Sequence, residues 1–361
     1  MSQPTVDAFF AYPANPPALA ETIRSAIERI NSPNVRITSW EQARIGGKAI
    51  IGEICNLINK SALILADVTG TNPNVMFELG YAVARNKRIW LVLDTSRAAA
   101  KRDYDQLRLL TGIGYRPYVN SRDIINGFYQ DHPFDDLTQT VLETLIKPLL
   151  TPGLPAAGCL YLKSRHETDA DRKVSEAVVR YSRNGLSYTI DDPNEARVQP
   201  LSWYAEKVYS SLGVLAHLSS ESRDGARAHN ARQAFVCGLA YGMDKRLLLL
   251  AEEDYSAPLD YQDLLLHYTT AKECAVHAEA FLDKTLLAYR NSGQNRPKPF
   301  DTLQLATELK ALRIGDYVAE HEAPRLSEYF VETLNIKQLC RIGTRFSSDE
   351  KVLERLPISS A

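Results

Sequence analysis

Two carboxylates on either side of a polar turn are the residues of this sequence best suited to chemistry. The apolar run 62–66 is typical of a buried strand and ends in Asp67, and Glu78 follows within a predicted helix, 75–85. Open α/β sheets bind ligands at the carboxyl ends of their strands. An ionised carboxylate there can stabilise, or covalently trap, the oxocarbenium-like species that forms when a glycosidic bond breaks. The site is therefore a candidate for chemistry on a small polar molecule, with Glu78 at its centre. The alternative interpretation of Glu78 is a carboxylate near the start of a helix with no other role.

Polar and aromatic side chains after the first three predicted strands could complete a binding site at the same edge of the sheet. Aromatic rings offer flat faces to a base, and asparagine amides offer paired donors and acceptors to ribose hydroxyls. The alternative interpretation of these residues is structural: a turn cap for Asp67, helix capping for the two asparagines, and core packing for Trp40. The predicted substrate-binding residues are Tyr12, Trp40, Arg44, Asp67, Asn72 and Asn74.

The elements that would position these residues alternate between strand and helix. Short apolar strands separated by amphipathic helices predict a parallel, doubly wound sheet. Residues 151–155 have the Pro- and Gly-containing composition of a linker, so residues 1–150 are predicted to form the catalytic domain. The predicted strands are 6–11, 35–40, 62–66 and 88–94, and the predicted helices are 17–30, 49–59 and 75–85.

The pattern returns after the linker, which predicts an internal duplication. Residues 204–217 track residues 54–67 at an offset of 150, and residues 238–246 track residues 80–88 at an offset of 158. The eight additional residues are expected in the loop 219–229.

The second copy, predicted over residues 156–258, lacks both carboxylates. His217 stands at the position of Asp67, and Val236 stands at the position of Glu78. Because valine cannot act as a nucleophile or a base, this copy is expected to be structural, or to bind a partner or ligand without turnover.

The expected fold class is α/β, with two doubly wound parallel-sheet domains and a helical C-terminal appendage over residues 259–361. Apolar residues recur at helical spacing in 271–289 and 303–312, on either side of a polar, proline-containing stretch. The appendage is expected to serve oligomerisation or docking, or to pack on the second domain.

Composition and motif content argue against several other classes of function. The formal net charge of −2 gives no general attraction to nucleic acid or to an anionic membrane. The five cysteines are scattered, and the seven histidines form no metal-binding motif such as HExxH. No apolar stretch reaches the roughly 18 residues that a membrane span needs. The protein is therefore expected to be cytoplasmic and to use no metal and no cofactor.

The run 66–82 resembles the signature of bacterial TIR-like nucleotide-binding domains and, more distantly, that of nucleoside 2-deoxyribosyltransferases. Phe10-Ala11-Tyr12 and Ser39-Trp40, at the ends of the first two predicted strands, extend the similarity over about residues 6–95. The resemblance implies flavodoxin-like sheets, and it places the catalytic glutamate of both families at Glu78.

What the resemblance implies is cleavage of an N-glycosidic bond, as in NAD hydrolysis, with NAD as a substrate rather than a cofactor. Gly70-Thr71 lies earlier than the Gly-Thr that precedes the glutamate of the transferases, which favours the TIR-like side. That side implies antiphage defence, a homo-oligomer and a defence-system partner protein. Two alternatives stay open: a deoxyribosyltransferase or nucleoside hydrolase, and a nucleotide-sensing or scaffold module without turnover.

Overall fold

The computed structural model describes residues 6–43, 49–135, 139–150, 156–183, 185–195, 198–256 and 259–291. Within these ranges the chain has an α/β fold with two five-stranded parallel sheets, each flanked by helices. Arg44 and most of the predicted C-terminal appendage lie outside the described residues. Among the helices of the described ranges, none combines the length and the apolar character that crossing a bilayer requires.

The first half of the chain forms one of the sheets. Its strands are β1 (Val6–Ala11), β2 (Val35–Ser39), β3 (Leu63–Asp67), β4 (Arg88–Asp94) and β5 (Tyr115–Tyr118). Its helices are α1 (Pro17–Ile30), α2 (Ile50–Lys60), α3 (Pro73–Ala84), α4 (Ala100–Leu107) and α5 (Ser121–Asp131). The strand order is β2-β1-β3-β4-β5. The four predicted strands and three predicted helices are confirmed, with ends displaced by at most two residues.

Helix α1 illustrates how the sequence specifies these elements. Pro17 stands in its first turn, where the fixed φ of proline suits a helix and the missing N–H costs nothing. Leu19, Ile23 and Ile27 recur every four residues and are all buried. Together with α5, this stripe covers one face of the first sheet, while α2, α3 and α4 cover the other.

The second half repeats the arrangement. Its strands are β6 (Cys159–Leu162), β7 (Tyr188–Asp191), β8 (Gly213–Leu218), β9 (Arg246–Glu252) and β10 (Leu265–Tyr268). Its helices are α6 (Asp169–Ser182), α7 (Leu201–Ser210), α8 (Ala226–Gly242) and α9 (Ala271–Asn291). The order β7-β6-β8-β9-β10 matches the first sheet strand for strand. As the sequence predicts, Cys159–Leu162 occupies the place of 8–11, beside the third strand of its own sheet.

The predicted boundary at residue 258 is wrong. Strand β10 is the edge strand of the second sheet, and α9 packs against α6 on its outer face. These elements follow 258 and complete the second half, so the helical spacing of 271–289 belongs to a sheet-covering helix and not to a separate appendage. Residues 6–291 lie within a single compact unit.

The sequence predicts that the eight additional residues of the second half lie in a loop, but the structure places part of them in helix α8. The connection 68–72 after β3 has five residues and its counterpart 219–225 has seven, whereas α8 has 17 residues and α3 has 12. The insertion therefore lengthens helix α8 at its N-terminal end, and this added turn carries Arg227.

The two halves meet where α3 crosses α8, at a pair of glycines. A Cβ on Gly80 would lie 2.0 Å from the carbonyl oxygen of Phe235, and a Cβ on Gly238 would lie 2.0 Å from that of Phe77. These pairs are related by the offset of 158, so each helix presents the same residues to the other. One continuous apolar core extends through this crossing from sheet to sheet.

We expect Gly238→Ala to lower the free energy of unfolding by at least about 2 kcal/mol, because the added methyl group forces the two helix backbones apart. Urea unfolding followed by circular dichroism measures the change. Gly52→Ala is the matched control, since Gly52 lies in α2 and a Cβ there meets nothing within 4 Å. Alanine at that position should stabilise the protein by about 0.5–1 kcal/mol. Equal effects of the two substitutions would contradict a close crossing.

Candidate functional site

The carboxyl edge of the first sheet brings together the ends of β1, β2 and β3. Tyr12 directly follows β1 and is 2% exposed, and its hydroxyl donates to the Ser39 Oγ at 3.5 Å. Burial raises the pKa of this phenol. The Trp40 ring lies 6.2 Å from the Tyr12 ring between centroids. The two predicted aromatic residues are therefore neighbours, as the sequence had suggested.

Trp40 has an indole N–H that nothing in the described chain accepts. Its Nε1 is buried and has no hydrogen-bond partner among the described residues. Tryptophan usually finds a partner for this group when it is buried. The ring packs against both apolar clusters of the first half, so Trp40 is a core residue that also presents one unused donor.

Asp67 serves the turn after β3 and not a substrate. Its carboxylate accepts hydrogen bonds from the Tyr118 hydroxyl at 2.5 Å, the Thr69 N–H at 3.0 Å and the Thr69 hydroxyl at 3.2 Å. The side chain is completely buried, and burial raises its pKa to about 6 against the lowering effect of these hydrogen bonds. Because its oxygens are already occupied, Asp67 is reassigned from the predicted substrate-binding set to the scaffold.

Tyr118 is a buried partner of Asp67 that the sequence reasoning missed. In the second half, the Tyr268 hydroxyl lies 2.6 Å from His217 Nε2, so the same pair of positions interacts there. The offset of 150 that relates Asp67 to His217 also relates Tyr118 to Tyr268. The offset is 158 at β4 and β9 but 150 at β5 and β10, so the two halves would have to be realigned after β4 to identify both tyrosines.

Two asparagines shape the start of α3. The Asn72 side-chain oxygen accepts from the backbone N–H groups of Asn74 at 2.9 Å and Val75 at 3.3 Å, which is ordinary N-cap geometry. Asn74 Oδ1, by contrast, is buried and has no hydrogen-bond partner among the described residues. Of the two, Asn74 is the one whose side-chain acceptor is left unused among the described residues.

Glu78 lies one turn beyond Asn74 on α3 and is 2% exposed. Residues four apart on a helix share a face, so both side chains belong to the same side of α3. At the equivalent position of α8, Val236 is fully buried. The helix crossing therefore accepts an apolar side chain at this position, and packing does not require a carboxylate.

A cavity of about 270 Å³ lies at the same sheet edge, between the loops that follow β1 and β3. In the order β2-β1-β3, the direction in which successive strands are added to the sheet reverses between β1 and β3. Doubly wound sheets bind ligands in the crevice at that point. Asn15, Thr69 and Asn72 are among the lining residues. Arg227 of α8 closes one side and donates to the Gly70 carbonyl at 2.6 and 3.0 Å.

At the corresponding edge of the second sheet, His217 and Val236 stand at the positions of Asp67 and Glu78. Burial lowers the pKa of His217 to about 4 and that of His229 to about 3, so both imidazoles are neutral near pH 7. His229 Nε2 lies 2.8 Å from Gln233 Nε2. With Val236 in place of the glutamate, this edge has no counterpart to Glu78.

No group of three or more histidine, cysteine, aspartate or glutamate side chains in the described part of the chain has the arrangement to hold a metal ion.

No family model and no curated protein matches the chain. Among solved structures, it is similar to the glycotransferase of kitacinnamycin, with 12% identity, 81% of this chain and 94% of that chain covered, and a TM-score of 0.22. It is also similar to an α1,3-fucosyltransferase, with 11% identity, 78% and 81% coverage, and a TM-score of 0.22. At these TM-scores neither likeness bears on the function of this chain.

We expect Tyr118→Phe to destabilise the protein in a pH-dependent way. The raised pKa of Asp67 means that the folded state gains its proton as pH falls through about 6, well above the usual value of 3.8. Near pH 7.5 the Tyr118 hydroxyl donates to an ionised Asp67 carboxylate, so removing the hydroxyl should lower the free energy of unfolding by about 2 kcal/mol. Near pH 5 the carboxyl is mostly protonated in the folded state, and the loss should shrink to about 1 kcal/mol.

Tyr268→Phe is the control for this experiment. Its partner His217 is neutral at both pH values, so the loss on substitution should be the same at each. Urea unfolding of both variants and of the wild type, at the two pH values, makes the comparison. An equal loss for Tyr118→Phe at both pH values would show that Asp67 is not ionised beside it.

Proposed function

We propose that the first half cleaves the N-glycosidic bond of NAD or a related nucleotide, with Glu78 as the catalytic carboxylate. The observation that carries this proposal is the contrast between Glu78 and Val236, which occupy equivalent places on two helices that cross in the same way. Removing a carboxylate from water costs free energy that valine does not incur. A buried glutamate where packing accepts valine indicates selection for chemistry.

The unused polar atoms at the same edge support a ligand there. Buried donors and acceptors are almost always hydrogen-bonded in folded proteins, so each exception calls for an explanation. The Trp40 N–H and Asn74 Oδ1 are two such exceptions, one donor and one acceptor. A ribose with its hydroxyl groups, which both donate and accept, could satisfy both.

The resemblance of residues 66–82 to TIR-like domains agrees with the topology, since the order 2-1-3-4-5 is that of flavodoxin-like folds. On this basis the proposed architecture is a TIR-like first domain, a degenerate second copy and a C-terminal segment of helical sequence. The proposal extends to a cytoplasmic homo-oligomer in antiphage defence, acting with a partner protein.

The proposed reaction follows from the charge that develops as the bond breaks. The bond between the ribose C1′ and the nicotinamide nitrogen breaks, and its electron pair leaves with the base, which becomes neutral. The Glu78 carboxylate stabilises the positive charge at C1′ or bonds to it. Water then supplies the hydroxyl group at C1′, and one proton is released. Tyr12 and Trp40 would bound the ligand, and Asn74 would orient the ribose.

We expect Glu78→Gln to reduce nicotinamide release from NAD by at least about 100-fold, because the amide cannot stabilise or trap a cation as a carboxylate does. Purified protein at high concentration, to favour assembly, is incubated with NAD and the products are separated by chromatography. Val236→Thr is the matched control at the equivalent position of α8, and it should retain the wild-type rate. Circular dichroism establishes that both variants fold.

Full activity in the Glu78→Gln protein would refute the role of Glu78. Base exchange between 2′-deoxynucleosides and an added base, without NAD cleavage, would favour the deoxyribosyltransferase alternative. A rise in melting temperature with NAD, but no product with any substrate, would favour the nucleotide-sensing module.

We expect Trp40→Phe to raise the KM for NAD about tenfold while leaving stability unchanged or slightly increased. The substitution removes an indole N–H that has no described partner in the free protein, so folding loses no hydrogen bond. It does remove a donor that a bound ribose would use. Steady-state kinetics and thermal unfolding test the two expectations together. A marked loss of stability with an unchanged KM would place Trp40 in the core alone.

A further inference from the structure

A second and larger cavity, of about 900 Å³, lies between helix α4 and the carboxyl edge of the second sheet. One wall comes from residues 98–108 of the first half, and the other comes from the loops after β6 and β7 and from the start of α8. The volume is within the range of about 300–1,000 Å³ that small-molecule sites occupy. This cavity shares no lining residue with the cavity of about 270 Å³ at the edge of the first sheet, so the two are distinct.

The lining of this cavity is strongly cationic. Five of its side chains are positive and two, Asp105 and Asp224, are negative. Within the described residues, Lys101, Arg108 and Arg165 form no ion pair at the 4.0 Å limit. The five positive side chains are Lys101, Arg102, Arg108, Arg165 and Arg232. An excess of unpaired cations in a concave site attracts anions.

Arg232 joins the two walls of the cavity. Its Nε donates to the Leu107 carbonyl of α4 at 3.4 Å. Burial lowers the pKa of the Arg232 guanidinium. Tyr204 and Asp191 oppose this lowering, whereas the positive charges of Arg165 and Arg108 add to it. The cationic groups therefore already repel one another, and an anion between them would relieve that repulsion.

A buried acceptor lies next to this cluster. Gln233 is 4% exposed, and its Oε1 has no hydrogen-bond partner among the described residues. Its Nε2 is held by the Lys163 carbonyl at 3.0 Å, which fixes the amide. Gln233 lines a small cavity that shares His229 and Arg232 with the large one. Gln233 therefore lies beside the large cavity and is not part of its lining.

We propose that the cavity binds a small phosphorylated molecule of the nucleotide class, with its phosphates among the guanidinium groups. Arginine forks match phosphate oxygens in pairs, which makes them suited to this chemistry. The N-terminus of α8 adds a second favourable element, since Gly225 lines the cavity directly before its first turn. Two of the added residues at the start of α8, Ala228 and His229, also line this cavity.

The test is isothermal titration of the full-length protein with ATP, with inorganic tripolyphosphate and with adenosine. ATP and tripolyphosphate should bind, and adenosine should bind at least tenfold more weakly than ATP. Binding should weaken as salt rises, because the cationic groups are screened. Arg108→Gln combined with Arg165→Gln should weaken ATP binding by at least about tenfold, as expected for the loss of charge-assisted hydrogen bonds.

The matched control removes two positive charges elsewhere, by Arg122→Gln combined with Arg172→Gln on exposed turns of α5 and α6. This control should bind ATP as the wild type does, and so should Glu78→Gln, which makes the outcome independent of the proposed catalysis. Lys101→Gln, on an exposed part of α4, gives a milder substitution should the double variant not fold. Absence of ATP binding, or an equal loss in both double variants, would overturn the proposal.

Discussion

The close crossing of α3 and α8 is the constraint on which the rest of the structure depends. Two helices can approach this closely only where a side chain is missing, and Gly80 and Gly238 provide that contact from each side. The crossing joins two apolar cores into one and fixes the rotation of α3 about its axis. Because Glu78 precedes Gly80 by two residues, its position is set by the same contact.

The two halves show how a scaffold can be kept while its charge is changed. The first half holds the turn after β3 with an acid and a tyrosine, Asp67 and Tyr118, and the second uses His217 and Tyr268 in the same places. Each pair is buried and hydrogen-bonded, so the turn survives the exchange. What changes is the charge that the edge of the sheet can carry at neutral pH. The second half also contributes Arg165 and Arg232 to the cationic cavity, opposite Lys101, Arg102 and Arg108 of the first half.

The elements of the first half were largely predictable because local periodicity specifies them. Helix α1 and strand β4 have the ends that the sequence predicts, since their apolar stripes and flanking turns are local signals. Strand β10 was missed because four residues of an edge strand carry little periodic signal and were read as part of a helical region. Of the predicted site residues, Tyr12 and Trp40 are neighbours, and the Asp67 carboxylate is hydrogen-bonded within the scaffold.

The sequence by itself determined the α/β class, the repeated order of strands and helices, and the loss of the glutamate at Val236. These follow from apolar periodicity and from the offsets between the halves, which need no knowledge of how distant segments pack. Only the tertiary structure decided which polar atoms are already bonded and which are left unused. It also decided that α4 and α8 enclose a cationic cavity, because the lining residues lie far apart in the chain and meet only once the two sheets are packed together.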